Sequence, residues 1–224
     1  MICVPIMAKD NDEAIKKMAK ASAFADLLEL RLDSFECFDL PHLLQRAPCP
    51  LIVTYRSRKE GGMGNVHYRT RMHYLKEAIA LGAQYVDLEY TIPLEHRAAL
   101  LANRGSSKII ISKHIRHSTP STRYLRQWLQ RLIATGADVI KLVTMATAPE
   151  DNIRVLQLIP MATRLGVPII TFCMGDKGKI SRVASILMGA FLTFASLDET
   201  DLSAPGQISV RDMKTILELL RGYH

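Results

Sequence analysis

Apolar positions follow two alternating rhythms along the chain. Eight short runs have the length of strands buried on both faces: "ICVPIM" (2–7), "DLLELRLD" (26–33), "PLIVTYR" (50–56), "QYVDLEY" (84–90), "SKIIISKH" (107–114), "ADVIKLVT" (137–144), "VPIITFCM" (167–174) and "FLTFAS" (191–196). After each, apolar residues recur at helical spacing. The first such segment carries Ala14, Ile15, Met18 and Ala19 on one face, with Asn11 or Asp12 as the expected N-cap. The others cover 40–47, 67–82, 93–105, 121–136, 148–166, 181–190 and 210–223. Gly82 reads as a residue just past a helix end, Pro93 as a first-turn proline, and Pro160 as a kink.

Strands alternating with helices imply a parallel sheet. Eight such pairs in 224 residues predict an α/β fold, a (β/α)8 TIM barrel forming one domain over 1–224. A doubly wound open sheet is the alternative, but no G-x-G-x-x-G follows the first strand.

Composition narrows the function classes. No apolar run reaches the roughly 18 residues that would span a membrane, and "MICVPIMAKD" lacks the pattern of a signal peptide. Cys3, Cys37, Cys49 and Cys173 are scattered without C-x-x-C spacing, as expected of reduced thiols in a cytoplasmic protein. The net charge of +7 favours anionic partners. The charges are spread out, however, with no basic patch interleaved with aromatics, so small carboxylates or phosphates are expected rather than nucleic acid.

In a barrel the chemistry sits at the C-terminal ends of the strands, and polar residues gather there. Glu29 and Arg31 lie two apart on one face of the second strand, as ligand-holding groups or as an internal salt bridge. The third strand leads through Arg56 into the glycine-rich "SRKEGGMG", a mobile loop by composition, which holds Glu60. Asp87 and Glu89 read as structural carboxylates satisfying neighbouring groups. His114 ends the fifth strand, either as a core histidine or as an acid–base group. His117 would make a metal pair with it, but further ligands at suitable spacing are missing. His42, His67, His73, His96 and His224 read as surface residues. The loop "GDKGKIS" (175–181) is not a Walker A motif. It opens a helix, where backbone N–H groups favour anions, and Arg182 follows.

Lys141 stands out. It occupies the middle of the apolar run "GADVIKLVTMA" (136–146), where burial of an ammonium is costly. An ammonium stripped of water is pushed toward the neutral amine, which attacks carbonyls to form a Schiff base. His114, on the adjacent expected strand, suits a proton-transfer role. These residues suggest an aldolase-like or dehydratase-like enzyme.

The segments "ELRLD" (29–33), "TYRSRKEGG" (54–62), "ISKH" (111–114), "DVIKLVTMA" (138–146), "MGDKGKISR" (174–182) and "SAPGQIS" (203–209) together resemble the type I 3-dehydroquinate dehydratases. The resemblance implies a (β/α)8 barrel without metal or cofactor, converting 3-dehydroquinate to 3-dehydroshikimate by syn elimination of water in the shikimate pathway. It implies Lys141 as the Schiff-base lysine, His114 as general acid and base, and Glu60 as the carboxylate that orients the histidine. It assigns Glu29, Arg31 and Arg56 to the ring hydroxyls and Arg182, Ser203 and Gln207 to the substrate carboxylate, the last two on a closing loop. It implies a homodimer with a small-molecule carboxylate as partner. Two segments depart from the family pattern: Ile115 and Arg116 replace an acidic–aromatic pair, and "FCM" (172–174) replaces a methionine–serine–methionine run. Another Schiff-base barrel lyase, such as a class I sugar-phosphate aldolase, is the competing function.

Overall fold

The computed structural model describes residues 1–222. Eight parallel strands form its centre: β1 (Ile2–Ile6), β2 (Leu27–Arg31), β3 (Leu51–Thr54), β4 (Tyr85–Glu89), β5 (Lys108–Ile115), β6 (Val139–Met145), β7 (Ile169–Met174) and β8 (Thr193–Phe194). They run in the order β7-β6-β5-β4-β3-β2-β1-β8. The two ends meet where the Phe191 N–H, just ahead of β8, donates to the Ile169 carbonyl of β7 at 2.8 Å. The sheet is a barrel rather than the open doubly wound alternative.

Helices α1 (Asn11–Ala21), α2 (Leu40–Gln45), α3 (Tyr68–Ala80), α4 (Leu94–Ala102), α5 (Thr122–Ile133), α6 (Glu150–Leu156), α7 (Leu158–Arg164), α8 (Lys179–Leu187) and α9 (Val210–Arg221) surround the strands. The cap of α1 is Asp10, not Asn11 or Asp12; its carboxylate accepts the Glu13 N–H at 2.9 Å. Gly82 follows α3 with φ +81°, in the left-handed conformation expected past a helix end. The single helix expected over 148–166 is two. Pro160 lacks an N–H and its ring crowds the carbonyl four residues back, at Leu156, which is where α6 stops. Tyr223, the expected end of the last helix, and His224 lie outside the described residues.

Strand alternation sorts the side chains into two layers. Leu28, Leu30, Ile140 and Leu142 face the helices, while Leu27, Val139, Val143, Ile170 and Phe194 fill the lumen. Each fully buried aliphatic side chain contributes about 1.5–3 kcal/mol. The same alternation sends Glu29, Arg31 and Lys141 inward, where they replace apolar filling toward the C-terminal ends of the strands.

Candidate active site

Lys141 is the third residue of β6 and is only 4% exposed. Its Nζ lies 3.2 Å from Asp87 Oδ2, 3.5 Å from Glu29 Oε1 and 4.2 Å from the centre of the Phe194 ring. The lysine is therefore held between two carboxylates and an aromatic face.

Glu29 and Arg31 do not pair with each other. Glu29 Oε1 accepts from Thr54 Oγ1 at 2.9 Å. Arg31 instead grips both oxygens of Asp33, at 2.8 and 2.7 Å. Burial works against both charges of that pair, but their mutual hydrogen bonds prevail, raising the Arg31 pKa and holding Asp33 below the usual carboxylate range. Asp33 also accepts the backbone N–H groups of Arg56 and Met63, so it ties the end of β2 to the loop after β3.

Arg56 reaches Asp87 Oδ2 at 2.7 Å and donates to Ser112 Oγ at 2.8 Å; Ser112 in turn donates to Asp87 Oδ1 at 2.5 Å. Burial alone would raise the Asp87 pKa. The charges of Arg56 and Lys141 outweigh it and hold the carboxyl well below its ordinary value. Glu89, by contrast, serves the neighbouring structure: it accepts the Ser57 N–H and pairs with Arg71.

Glu60 ends a 3-10 turn, Arg58–Glu60, and is buried. Its Oε2 accepts the His114 backbone N–H at 3.1 Å and stands 3.0 Å from His114 Nδ1. A carboxylate oxygen accepts, so Nδ1 carries the ring proton and Nε2 keeps its lone pair. Burial, followed by the charges of Arg56 and Lys141, pushes the His114 pKa well below its ordinary value, with Asp87 opposing. The neutral imidazole is therefore favoured over the imidazolium. The glycine-rich loop folds back around these contacts. Gly62 passes so close to Arg56 that a Cβ would stand 2.3 Å from the Arg56 carbonyl oxygen.

Arg182 projects from α8 and is 1% exposed. It lies 4.5 Å from the centre of the Phe172 ring and donates to the carbonyls of Pro205 at 3.1 Å and Phe194 at 3.4 Å. Among the described residues no carboxylate lies within ion-pair distance of it. Burial pushes its pKa down to about 10. Gln207 and Ser203 come from the loop after β8. Gln207 Oε1 accepts the N–H groups of Ser203 at 2.7 Å and Ala204 at 3.1 Å, which gives that loop its shape.

All nine residues singled out in the sequence, Glu29, Arg31, Arg56, Glu60, His114, Lys141, Arg182, Ser203 and Gln207, line one cavity of about 120 Å³. Phe172, Met174 and Phe194 supply part of its apolar wall. Of the two departures from the family pattern, "FCM" puts Phe172 and Met174 on that wall and turns Cys173 toward the helices, and Arg116 sits exposed at the rim. The "GDKGK" loop itself does not face the cavity: Lys177 donates to the Thr147 carbonyl and Lys179 pairs with Asp176. A wider groove of about 860 Å³ lies at the other end of the barrel, beside α2 and the starts of β3 and β4, and holds none of the nine.

Sequence reasoning missed Asp87 and Ser112 as neighbours of Lys141. The signal was weak: Asp87 lies two strands from Lys141, and only the register Asp87↔Ile110 and Ser112↔Lys141 brings them together. His117 is exposed and outside the cavity. Among the described residues no three His, Cys, Asp or Glu side chains gather as a metal site. What the cavity does assemble is a primary amine, a neutral imidazole and an unneutralised guanidinium. That set suits carbonyl condensation and proton transfer on a small anion.

Residues 2–224 match the family model described as type I 3-dehydroquinase. A 3-dehydroquinate dehydratase from Pyrococcus abyssi is 36% identical over 220 residues, covering 98% of both chains. The crystal structure of 3-dehydroquinate dehydratase from Geobacillus kaustophilus superposes with a TM-score of 0.89 at 30% identity, over 99% of this chain and 91% of that one. The type I 3-dehydroquinate dehydratase from Clostridium difficile, solved with covalently modified comenic acid, gives a TM-score of 0.88 at 30% identity, over 98% and 91% of the two chains.

Proposed function

The chain belongs to the type I 3-dehydroquinase family, and on that premise we propose that this hydro-lyase dehydrates 3-dehydroquinate through a Schiff base on Lys141. The observation that carries the reading is the shared cavity: the Lys141 amine and the unneutralised Arg182 guanidinium open onto the same small space. An anionic ketone fits both groups. The Clostridium difficile relative was solved with covalently modified comenic acid, which is in keeping with covalent chemistry in such a site.

In the proposed reaction the substrate carboxylate pairs with Arg182, and Ser203 and Gln207 complete its enclosure. Glu29, Arg31 and Arg56 hold the ring hydroxyls. Lys141 attacks the C3 ketone, and loss of water gives the iminium. His114 Nε2 then removes a proton from C2, and the iminium accepts the electron pair as an enamine. The imidazolium, stabilised by Glu60, returns its proton to the departing C1 hydroxyl, which leaves as water. Hydrolysis of the product imine frees Lys141 and 3-dehydroshikimate. A neutral imidazole held by a carboxylate can act in both directions, and such positioned transfer is worth on the order of 10² to 10⁴ in rate.

The sugar-phosphate aldolase alternative needs a phosphate site, and Lys177 and Lys179 are engaged away from the cavity. Four unpaired cysteines support a reducing compartment, the cytoplasm. A homodimer is supported by exposed Ile153, Ile180, Leu187 and Met188 on the adjoining helices α6 and α8 and the residue that follows α8. Biosynthesis in the shikimate pathway is the role this activity would serve.

Borohydride reduction in the presence of 3-dehydroquinate, followed by peptide mass spectrometry, tests the proposal. The expected product is an adduct on Lys141. No adduct, or one on another lysine, rejects it.

A further inference from the structure

Neighbouring residues on a strand turn to opposite faces, so the side chains of Lys113 and His114 should have little in common. They share Glu60. Glu60 Oε1 accepts from Lys113 Nζ at 2.9 Å, while Oε2 serves the His114 backbone and ring. The Lys113 side chain is 18% exposed. It does not line the cavity, and its ammonium lies 5.8 Å from the centre of the Trp128 ring on α5.

A carboxylate held by one oxygen can rotate about its last bond, because that torsion is broad. Lys113 fixes the second oxygen. Arg56 NH1 is 4.0 Å from Oε2, beyond hydrogen-bond length, which leaves Lys113 as the lysine or arginine that hydrogen-bonds to Glu60 among the described residues. The other charges facing the His114 ring are Arg56 from just past β3, Lys141 from β6, Asp87 from β4 and Arg31 from β2. Lys113 acts on this set through Glu60.

We propose that Lys113 is a positioning residue for the dehydration: by gripping Oε1 it holds the Glu60 carboxylate in the pose that orients the His114 ring. This rests on His114 being the proton-transfer group. Removing the lysine charge frees Glu60 to swing and leaves its full negative charge to favour the imidazolium.

Lys113→Met and Lys113→Arg test it, by NMR titration of the His114 ring in the substrate-free protein and by kcat and KM across pH. In Lys113→Met the His114 titration and the acidic limb of kcat/KM should move up by about one pH unit. The same variant should lose kcat on the order of tenfold while KM for 3-dehydroquinate stays within about twofold, since Lys113 is outside the cavity. Lys113→Arg should restore both. An unmoved titration, an unchanged kcat, or an arginine variant as impaired as the methionine one overturns the proposal. His114→Ala separates the two readings. Full turnover in that variant would reject His114 as the proton carrier, and the ring titration alone would then decide whether Lys113 governs it.

Discussion

Lys141 Nζ and Asp87 Oδ2 stand 3.2 Å apart in the barrel lumen, although they lie on strands β6 and β4 with β5 between them. The barrel curves β4 and β6 toward a common centre, so side chains two strands apart meet across it. Asp87 also binds Arg56 and Ser112, which makes it the fixed post against which the lysine is set. It satisfies neighbouring groups, as its sequence position suggests, and one of them is the lysine of the cavity.

Asp87→Asn should therefore damage both stability and turnover. Breaking a buried ion pair by removing one partner costs about 3–5 kcal/mol, and part of that should appear as a lower urea midpoint. Turnover should fall on the order of tenfold or more, because the amine loses its anchor. A variant with wild-type kcat would show that Glu29 alone suffices to set Lys141.

The His114 pKa gives stability and activity a common direction with pH. Its folded value lies below the ordinary 6.5, so between the two the unfolded chain binds more protons. Stability therefore rises with pH through that window and is lost as pH falls below about 6.5. Asp87, whose pKa is depressed, adds a loss at lower pH, as the solution falls through the ordinary carboxylate range. Urea unfolding at pH 7.5 and pH 5 should give the lower midpoint at pH 5. The acidic limb of kcat/KM should lie below 6.5 and vanish in His114→Ala.

Arg182→Met should separate binding from folding. Hydrogen bonds to a charged group are worth about 1.5–3 kcal/mol, so KM for 3-dehydroquinate should rise on the order of 10- to 100-fold. Tm of the free protein should hold or increase, because a buried cation without an anionic partner is exchanged for an apolar chain. A fall in Tm with an unchanged KM would assign Arg182 to the scaffold instead.

Gly206→Ala should disturb the loop that carries Ser203 and Gln207 at the cavity. Gly206 has φ +73°, and a Cβ there would stand 2.2 Å from the Gly175 carbonyl oxygen. The loop would have to lift from its dock on the Gly175 N–H, which Pro205 accepts at 3.1 Å. KM should rise on the order of tenfold with Tm nearly unchanged, since the loop is peripheral to the core. Unaltered KM would mean that this contact does not govern access.

The periodicities of the chain determined the eight strand–helix pairs, and with them the barrel and the end of it that carries chemistry. They also determined that Glu29 and Arg31 share one face of their strand, because a strand reverses its side chains at every residue; that this face, and Lys141 with it, turns into the lumen came from the structure. What the tertiary structure decided is who meets whom. Arg31 turned to Asp33 rather than Glu29, Lys177 and Lys179 turned away from the cavity, and Asp87 joined Lys141 across an intervening strand. Pro160 ended one helix and began another instead of bending one. Local pattern fixes which side chains of a strand share a face. The partner of each depends on strand register, barrel curvature and the competition of several charges for a few buried oxygens, none of which is a property of neighbouring residues in the sequence.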